Sequence, residues 1–209
     1  MTIDVSRSDN TRLAQQKIKE FEALIALYHN PEMGTHLQRM ARYAELIAKN
    51  RGLSATDQAL ILKAVPLHDI GKLGLSVDIL MKTGEFTPQE FEKMQQHPTI
   101  SYDMLRTSNS PLMRAAADLA LTHHEQFNGE GYPNGLKGED IPLFGRITAV
   151  ADVFDALTTE HLQQPAWSLQ RAIEYLQEQR GEHFDPACVD AFLADLTALI
   201  DIHNSYNNA

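Results

Sequence analysis

The sequence predicts an all-α domain. Apolar residues recur three and four positions apart along most of the 209-residue chain, which is the spacing of amphipathic helices. Helix-start signals precede several of these segments, and no segment is a convincing strand. The hydrophobic fraction of 43% and the charged fraction of 22% are typical of a globular protein.

The first predicted helix covers residues 13–28, after a polar tail of residues 1–12. Its apolar residues alternate four and three apart: Ala14, Ile18, Phe21, Ile25 and Tyr28. Two heptads are too few to define a coiled coil. Two interpretations stay open, a helix packed on its own domain or a helix for dimerisation or signal transmission. We assign residues 13–30 as an N-terminal linking helix and residues 31–205 as the domain.

Capping signals place the following helices. Asn30 before Pro31 predicts a helix that runs to Asn50. The segment Thr87-Pro88-Gln89-Glu90 is a capping box that starts another. The remaining helices are predicted at residues 56–67, 87–106, 111–126, 144–159, 168–179 and 186–203, with a looser region at 71–76 and a glycine-rich loop at 128–142.

Charge and composition exclude several classes of protein. The net charge of −10 argues against sequence-independent binding of long nucleic acid, so no DNA partner is expected. No apolar run approaches the roughly 18 residues of a membrane span, and the N-terminus lacks the apolar core of a signal peptide. We therefore expect a cytoplasmic protein without a membrane partner. The single cysteine, Cys188, excludes an internal disulfide and is expected to be a buried small apolar residue.

Several histidines and carboxylates lie at predicted helix ends or inside apolar helices, which is not expected for a set of solvated side chains. The set comprises Glu32, His36, His68, Asp69, His97, His123, His124 and Asp152. A carboxylate in the apolar run that contains Asp152 is costly unless it is compensated. Asp155, one turn later, either lines the same face or faces solvent.

Packing in a hydrophobic core does not by itself explain the positions of His123 and His124. His123 and His124 are consecutive, and neighbouring side chains on a helix point about 100° apart, so they cannot share one core face. His97 is predicted to end a helix immediately before Pro98. Nitrogen and oxygen donors without cysteine suit iron or manganese, with zinc or nickel as alternatives.

In this order, the residues His36, His68-Asp69 and Asp152 resemble the HD superfamily of metal-dependent phosphohydrolases. The additional histidines and the triplet Gly131-Tyr132-Pro133 resemble its HD-GYP branch, which is known as cyclic di-GMP phosphodiesterases built as a helical bundle with a glycine-rich GYP loop. The resemblance covers roughly residues 30–195. Its motifs are HDIGKLG at 68–74, HHE and GYPNGLKGEDIP within 123–142, AVADVFDALT at 149–158 and HFDPACVDAFL at 183–193.

The resemblance implies two or three divalent ions, most often iron or manganese. One ion would be held by His36, His68, Asp69 and Asp152. Asp69 would bridge to a second ion held by His97, His123 and His124. Glu32 matches a position that supports a third ion in some members. Lys72 matches a lysine that contacts a substrate phosphate, and Tyr132 is expected to stack on a base or to brace the loop.

The implied function is a phosphodiesterase that hydrolyses a cyclic dinucleotide, above all cyclic di-GMP, by metal-activated water, with Asp69 and Lys72 as catalytic residues. Two alternatives stay open: a phosphohydrolase of another phosphate ester, and a non-catalytic module that binds a nucleotide or a partner. The implied partners are a diguanylate cyclase or an upstream sensor or receiver domain, and a homodimer is left open.

One segment departs from the family pattern. After the DALT stretch the family usually shows a run resembling D-R-P-Y-R-K-A, but here His161 stands at the arginine position and Gln164 at a lysine position. A lost charge-assisted phosphate contact is worth about 1.5–3 kcal/mol. Substrate contacts are thus expected at Lys72, Tyr132, His161 and Gln164, while the choice between cyclic di-GMP and a hybrid cyclic GMP-AMP stays open.

Overall fold

The computed structural model describes residues 31–160 and 165–207, with side chains described for residues 34–160 and 165–206. The predicted tail, the helix at 13–28 and the Asn30 cap lie outside the described residues. Within those ranges the all-α prediction is confirmed, since regular structure is helical apart from one isolated bridge between Arg180 and Phe184. No helix in the described part of the chain is long and apolar enough to span a bilayer.

The described ranges contain ten α-helices and three short 3-10 helices. The α-helices are α1 (Pro31–Asn50), α2 (Ala55–Ala64), α3 (Val77–Leu80), α4 (Pro88–Met94), α5 (His97–Leu105), α6 (Pro111–Thr122), α7 (Leu143–Thr158), α8 (Leu169–Glu178), α9 (Pro186–Leu193) and α10 (Leu196–Asn207). The 3-10 helices are Val65–Leu67, Ile70–Gly74 and Gly138–Asp140.

Helix α1 lies at the centre of the bundle. It packs against α2, α7, α9 and α10, and its residues Met40, Tyr43 and Ile47 have no exposed surface. The Tyr43 ring meets Phe154 of α7 and Phe192 of α9 edge to face, with ring centroids 5.3 and 5.4 Å apart. This aromatic cluster fixes α1 relative to α7, because large rings in edge contact leave little freedom to slide. Cys188 is fully buried, as predicted.

The predicted helix at residues 87–106 is divided in two, and the prediction that His97 ends a helix is wrong. Helix α4 ends at Met94, and His97 is the first residue of α5, with Pro98 in its first turn. A proline is well accommodated there, because its missing N–H would have no partner within the helix. The capping box between Thr87 and Glu90 is confirmed.

Other helix ends differ from the prediction by one or a few residues. The segment 56–67 forms α2 followed by the 3-10 helix Val65–Leu67, and 186–203 forms α9 and α10. Helix α6 ends at Thr122 rather than at residue 126. His123 and His124 therefore stand just after α6, with His123 as its C-cap residue.

A glycine allows α6 and α7 to approach closely. A Cβ atom on Gly145 of α7 would lie 2.1 Å from Oγ1 of Thr122, whose hydroxyl donates to the Asp118 carbonyl over 2.7 Å. Real Cβ atoms do not approach other atoms this closely. Gly145 thereby brings the end of α6, and the two histidines after it, against α7.

We expect Gly145→Ala to lower the free energy of unfolding by about 1–3 kcal/mol, because the added methyl group overpacks the contact with Thr122. Gly34→Ala on α1 is the matched control. A Cβ there would meet no atom within 4 Å, so this change should be neutral or stabilise by up to about 1 kcal/mol through helix propensity. Urea denaturation of the metal-free proteins measures the free energy of unfolding of both variants. Equal free energies for Gly145→Ala and Gly34→Ala would contradict the close approach of α6 and α7 at Gly145.

Candidate metal centre

The predicted metal ligands converge in two adjoining groups. One group contains Asp69, His97, His123 and His124, and the other contains His36, His68 and Asp152. Within each group the candidate ligand atoms all lie within 4.8 Å of one another. The two groups adjoin each other: the ring centroids of His68 and His123 are 5.1 Å apart. The side chain of Glu32 lies outside the description, as do His161 and Gln164.

Asp69 stands between the two groups. Its Oδ1 lies 3.1 Å from Nε2 of His97 and 3.8 Å from Nε2 of His123. Its Oδ2 lies 3.3 Å from Nε2 of His68 and pairs with Lys72. The two carboxylate oxygens therefore face different groups, which is the arrangement required of a carboxylate shared by two ions.

Main-chain carbonyls orient three of the imidazoles. In each case Nδ1 bonds the carbonyl three residues earlier: His68 to Val65 at 2.9 Å, His97 to Met94 at 2.7 Å and His123 to Ala120 at 2.8 Å. A carbonyl oxygen only accepts hydrogen bonds, so each Nδ1 carries the hydrogen. Nε2 is then the nitrogen available to a cation, and its direction is fixed by the backbone.

Four buried atoms of this cluster have no hydrogen-bond partner among the described residues. They are Nε2 of His68, Oδ1 of Asp69, Nε2 of His97 and Nε2 of His123. An unsatisfied buried polar atom costs about 1–3 kcal/mol, so four in one place need an explanation. Nitrogen and oxygen donors that point at one another without hydrogen bonds fit a divalent cation. The residues present are thus a suitable donor set for metal ions.

Burial and charge set the protonation states of the centre. Burial lowers the pKa of His124 to about 4, and burial together with His124 and His68 holds the pKa of His123 well below its usual range. Burial opposes ionisation of Asp69, yet Lys72 and His68 outweigh it and hold its pKa well below the ordinary value. At neutral pH His123 and His124 are neutral and Asp69 is ionised, the forms that bind metal. At His68 burial is outweighed by the charge of Asp69, which raises the pKa.

A second glycine positions His97 beside Asp69. A Cβ atom on Gly71 would lie 2.1 Å from the His97 carbonyl oxygen and 2.4 Å from the Ser101 nitrogen. The Ser101 hydroxyl accepts from the Gly71 N–H at 2.7 Å and donates to the His68 carbonyl at 3.1 Å. Helix α5 thereby packs directly on the segment that carries His68 and Asp69. Ser101 was missed by the sequence reasoning, although it follows His97 by one helical turn.

The glycine-rich loop is anchored by Glu125, which was also missed. Its side chain is buried, and its two carboxylate oxygens accept from the N–H groups of Asn134 and Leu136 at 2.8 and 2.9 Å. Gly131 contacts the chain so closely that a Cβ atom would lie 2.2 Å from the Gln126 nitrogen. The adjacency of Glu125 to the histidine pair was the available signal in the sequence.

Tyr132 rests on His124. The two rings stack with centroids 4.8 Å apart and planes 27° apart, and the Tyr132 N–H donates to the His124 carbonyl over 3.1 Å. The Tyr132 ring also meets the Phe91 ring edge to face, with centroids 6.4 Å apart. This contact corresponds to the bracing role among the two predicted for Tyr132. Stacking on a base stays a prediction.

Asp155 does not face solvent. It is fully buried, accepts a hydrogen bond from Nδ1 of His36 at 2.7 Å and pairs with Arg39. Of the two positions the sequence left open for this carboxylate, the inward one is observed. Arg39 was not singled out from the sequence, although it follows His36 by three residues on α1.

Comparison with known proteins agrees with this site. A family model described as HD domain matches residues 20–188. The chain is 42% identical over 182 residues to the cyclic di-GMP phosphodiesterase response regulator RpfG of Xanthomonas campestris, covering 87% of this chain and 48% of that protein. It is 42% identical over 174 residues to 3′3′-cGAMP-specific phosphodiesterase 2 of Vibrio cholerae, covering 83% of this chain and 33% of that protein. The chain thus spans a third to a half of the length of these relatives.

The fold has a counterpart among solved structures. The crystal structure of a cyclic GMP-AMP-specific phosphodiesterase of V. cholerae, V-cGAP3, matches with a TM-score of 0.61 and 24% identity, over 83% of this chain and 48% of that one. At this identity the likeness establishes the shared helical architecture and nothing finer.

In the metal-free protein, the free energy of unfolding should fall as the pH is lowered from about 6.5 to about 4. An unfolded histidine titrates near pH 6.5, whereas the folded pKa of His124 is about 4 and that of His123 is also lowered. The unfolded chain therefore binds protons first in this window, and stability rises with pH by about 1.4 kcal/mol per pH unit for each such proton.

Urea denaturation at a series of pH values, with chelator present, measures this slope. His124→Asn removes one of the titrating groups. It should therefore reduce the slope of unfolding free energy against pH by up to about 1.4 kcal/mol per pH unit, the contribution of one proton. A slope in this variant equal to that of the unchanged protein would contradict the burial of a neutral His124 imidazole.

Proposed function

The chain belongs to the HD domain family and to its HD-GYP branch, and we propose that it is a metal-dependent phosphodiesterase that hydrolyses a cyclic dinucleotide. The observation that carries the proposal is the pair of adjoining donor groups joined by Asp69. The substrate class comes from the printed functions of the relatives, of which this chain covers half or less.

The donor groups define which residues would hold the ions. His36, His68 and Asp152 would hold one, the histidines His97, His123 and His124 the other, and Asp69 would be shared. When bound, such ions lower the pKa of water and offset the charge of a phosphoryl group. Oxygen and nitrogen donors without thiolate favour iron or manganese. Glu32 on α1 stays a proposed ligand of a third ion.

Lys72 would contact a substrate phosphate. Its ammonium group pairs with Oδ2 of Asp69, and its side chain is 30% exposed. The ion pair holds a partly exposed ammonium group beside Asp69, where it would offset the charge that develops on phosphoryl oxygens during attack. Asp69 would thus orient both the cations and this lysine.

The proposed nucleophile is a water molecule rather than a side chain of the protein. The single cysteine, Cys188, is fully buried, and burial raises its thiol pKa, so it is not a reactive thiolate. His124, with a pKa of about 4, is neutral at pH 7 and is a poor proton donor. The buried thiol argues against a covalent cysteinyl intermediate and so favours hydrolysis by a positioned water.

Aromatic side chains next to His124 offer a surface for a base. Phe91 is 47% exposed and meets Tyr132, which stacks on His124. Stacking on such rings is tolerant of base identity and is worth about 1–3 kcal/mol per base. Cyclic di-GMP is the favoured substrate. A second candidate, 3′3′-cGAMP, is supported by the relative from V. cholerae that is specific for it, while the missing basic residues at 161 and 164 leave the substrate open.

The function is tested on protein purified anaerobically and supplied with Mn²⁺ or Fe²⁺. Incubation with cyclic di-GMP and 3′3′-cGAMP, followed by chromatography of the products, should show the linear dinucleotide. His68→Ala and Asp69→Ala should each lower turnover by at least about 100-fold and lower the metal content, because both remove donors. His203→Gln on α10, outside the two donor groups, is the control and should retain activity.

Full turnover in both alanine variants would contradict the site assignment. Metal binding without hydrolysis of either dinucleotide would favour the non-catalytic alternative, and hydrolysis of simple phosphate monoesters alone would favour the alternative phosphohydrolase. The expected diguanylate cyclase, sensor-domain and homodimer partners and the cytoplasmic location stay predictions.

Gln164→Lys should lower KM for cyclic di-GMP. The substitution restores a positive charge where the family usually carries one, and a charge-assisted phosphate contact is worth about one to two orders of magnitude in binding. Gln164→Met, of similar size and uncharged, is the control. Equal KM values for the lysine and methionine variants would contradict a substrate phosphate at this position.

A further inference from the structure

His36 is held differently from the imidazoles that bond main-chain carbonyls. Its Nδ1 donates to Oδ2 of Asp155 over 2.7 Å, and the two residues lie 119 positions apart in the sequence, on α1 and α7. The Asp155 side chain is 1% exposed and that of His36 is 20% exposed. Because Nδ1 is engaged, Nε2 is the nitrogen that His36 can offer to a cation.

Arg39 holds the carboxylate in place. Its Nε donates to Oδ1 of Asp155 at 2.5 Å, and its Nη2 donates to Oδ2 at 2.9 Å and to Oγ1 of Thr159 at 2.8 Å. Arg39 is itself 2% exposed. A two-point guanidinium–carboxylate contact fixes the plane of the carboxylate as well as its position, so Asp155 cannot rotate away from His36 without losing a bond to Arg39.

The same two helices carry these residues in matching positions. Helix α1 presents His36 and Arg39, three residues apart, and α7 presents Asp152 and Asp155, also three residues apart. One pair, His36 and Asp152, belongs to a donor group. The other pair, Arg39 and Asp155, lies one turn further along and is fully enclosed.

We infer that Asp155 and Arg39 are positioning residues that select the His36 tautomer with Nε2 free and so control occupancy of the ion position of His36, His68 and Asp152. The inference rests on the proposed metal centre. A carboxylate on the distal imidazole nitrogen fixes the ring and makes its other nitrogen a better donor. Asp155 should therefore affect this ion position and leave that of His97, His123 and His124 filled.

The alternative is that Arg39 and Asp155 only hold α1 against α7. The chain offers a comparison, since Arg146 and Asp185 form a largely buried ion pair, with Nη1 2.7 Å from Oδ2 and side chains 11% and 6% exposed. Asp185 also accepts from the Ala187 N–H and lies 3.4 Å from the Cys188 sulfur. Asp185→Asn therefore disturbs an arginine–aspartate pair whose members belong to neither donor group.

The experiment measures Mn²⁺ bound per chain by equilibrium dialysis and elemental analysis. Asp155→Asn should lose one ion, or bind it about 10- to 100-fold more weakly, while Asp185→Asn should bind as the unchanged protein does. Because the asparagine leaves Arg39 without its anion, the double variant Arg39→Met/Asp155→Leu is included. It replaces the buried ion pair by apolar side chains, which usually preserves stability, but still removes the acceptor of His36.

The double variant separates the two roles. If Asp155 positions His36, the double variant folds and still lacks one ion. Full Mn²⁺ binding by the double variant would overturn the inference, as would equal losses in Asp155→Asn and Asp185→Asn.

A double-mutant cycle assigns the lost ion. In a His36→Ala background Asp155→Asn should cause no further loss of Mn²⁺, whereas in a His97→Ala background it should cause its full loss. Equal additional losses in both backgrounds would overturn the inference. Absence of Mn²⁺ binding by the unchanged protein would instead contradict the proposed metal centre itself, so the two failures are distinguishable.

Discussion

Four buried donor atoms without hydrogen-bond partners are the constraint on which the rest of this structure depends. Left unsatisfied, they cost about 1–3 kcal/mol each, which together is a large part of the 5–15 kcal/mol by which a typical domain is stable. The aromatic and aliphatic core around α1 offsets this cost, because it buries large side chains such as Tyr43, Phe154 and Phe192. Divalent cations would remove the penalty, since they supply the missing partners of His68, Asp69, His97 and His123.

Helix ends supply the orientation that the cluster needs. The carbonyl groups of the last turn of a helix have no partner within that helix, and His97 and His123 each donate Nδ1–H to such a carbonyl, at Met94 and Ala120. A histidine just past a helix end thus satisfies the helix and presents Nε2 at the same time. This explains why His123 directly follows α6, just before the glycine-rich loop. Glu125 and Tyr132 then fold that segment back over His124.

The fold class and the membership of the two donor groups could be predicted from the sequence, because helical periodicity and the HD-GYP motifs are local patterns. The helix break before His97 could not be predicted in this way. A proline is common both just after the end of one helix and in the first turn of the next, so Pro98 does not show which side of it the helix lies on. The inward direction of Asp155 was equally undetermined. It is decided by Arg39 and His36, more than a hundred residues away, and such pairing is a tertiary property. Ser101 and Glu125 escaped notice for the same reason, as their partners are backbone groups brought near by folding.

The most direct test is anomalous X-ray diffraction from crystals grown with Mn²⁺, with data collected on both sides of the manganese absorption edge. Two manganese peaks should appear about 3.5–4 Å apart, both in contact with Asp69, with Nε2 of His97 and His123 on one and Nε2 of His68 on the other. A map without manganese beside Asp69, or with these nitrogens unliganded while manganese binds elsewhere, would contradict a shared two-metal centre.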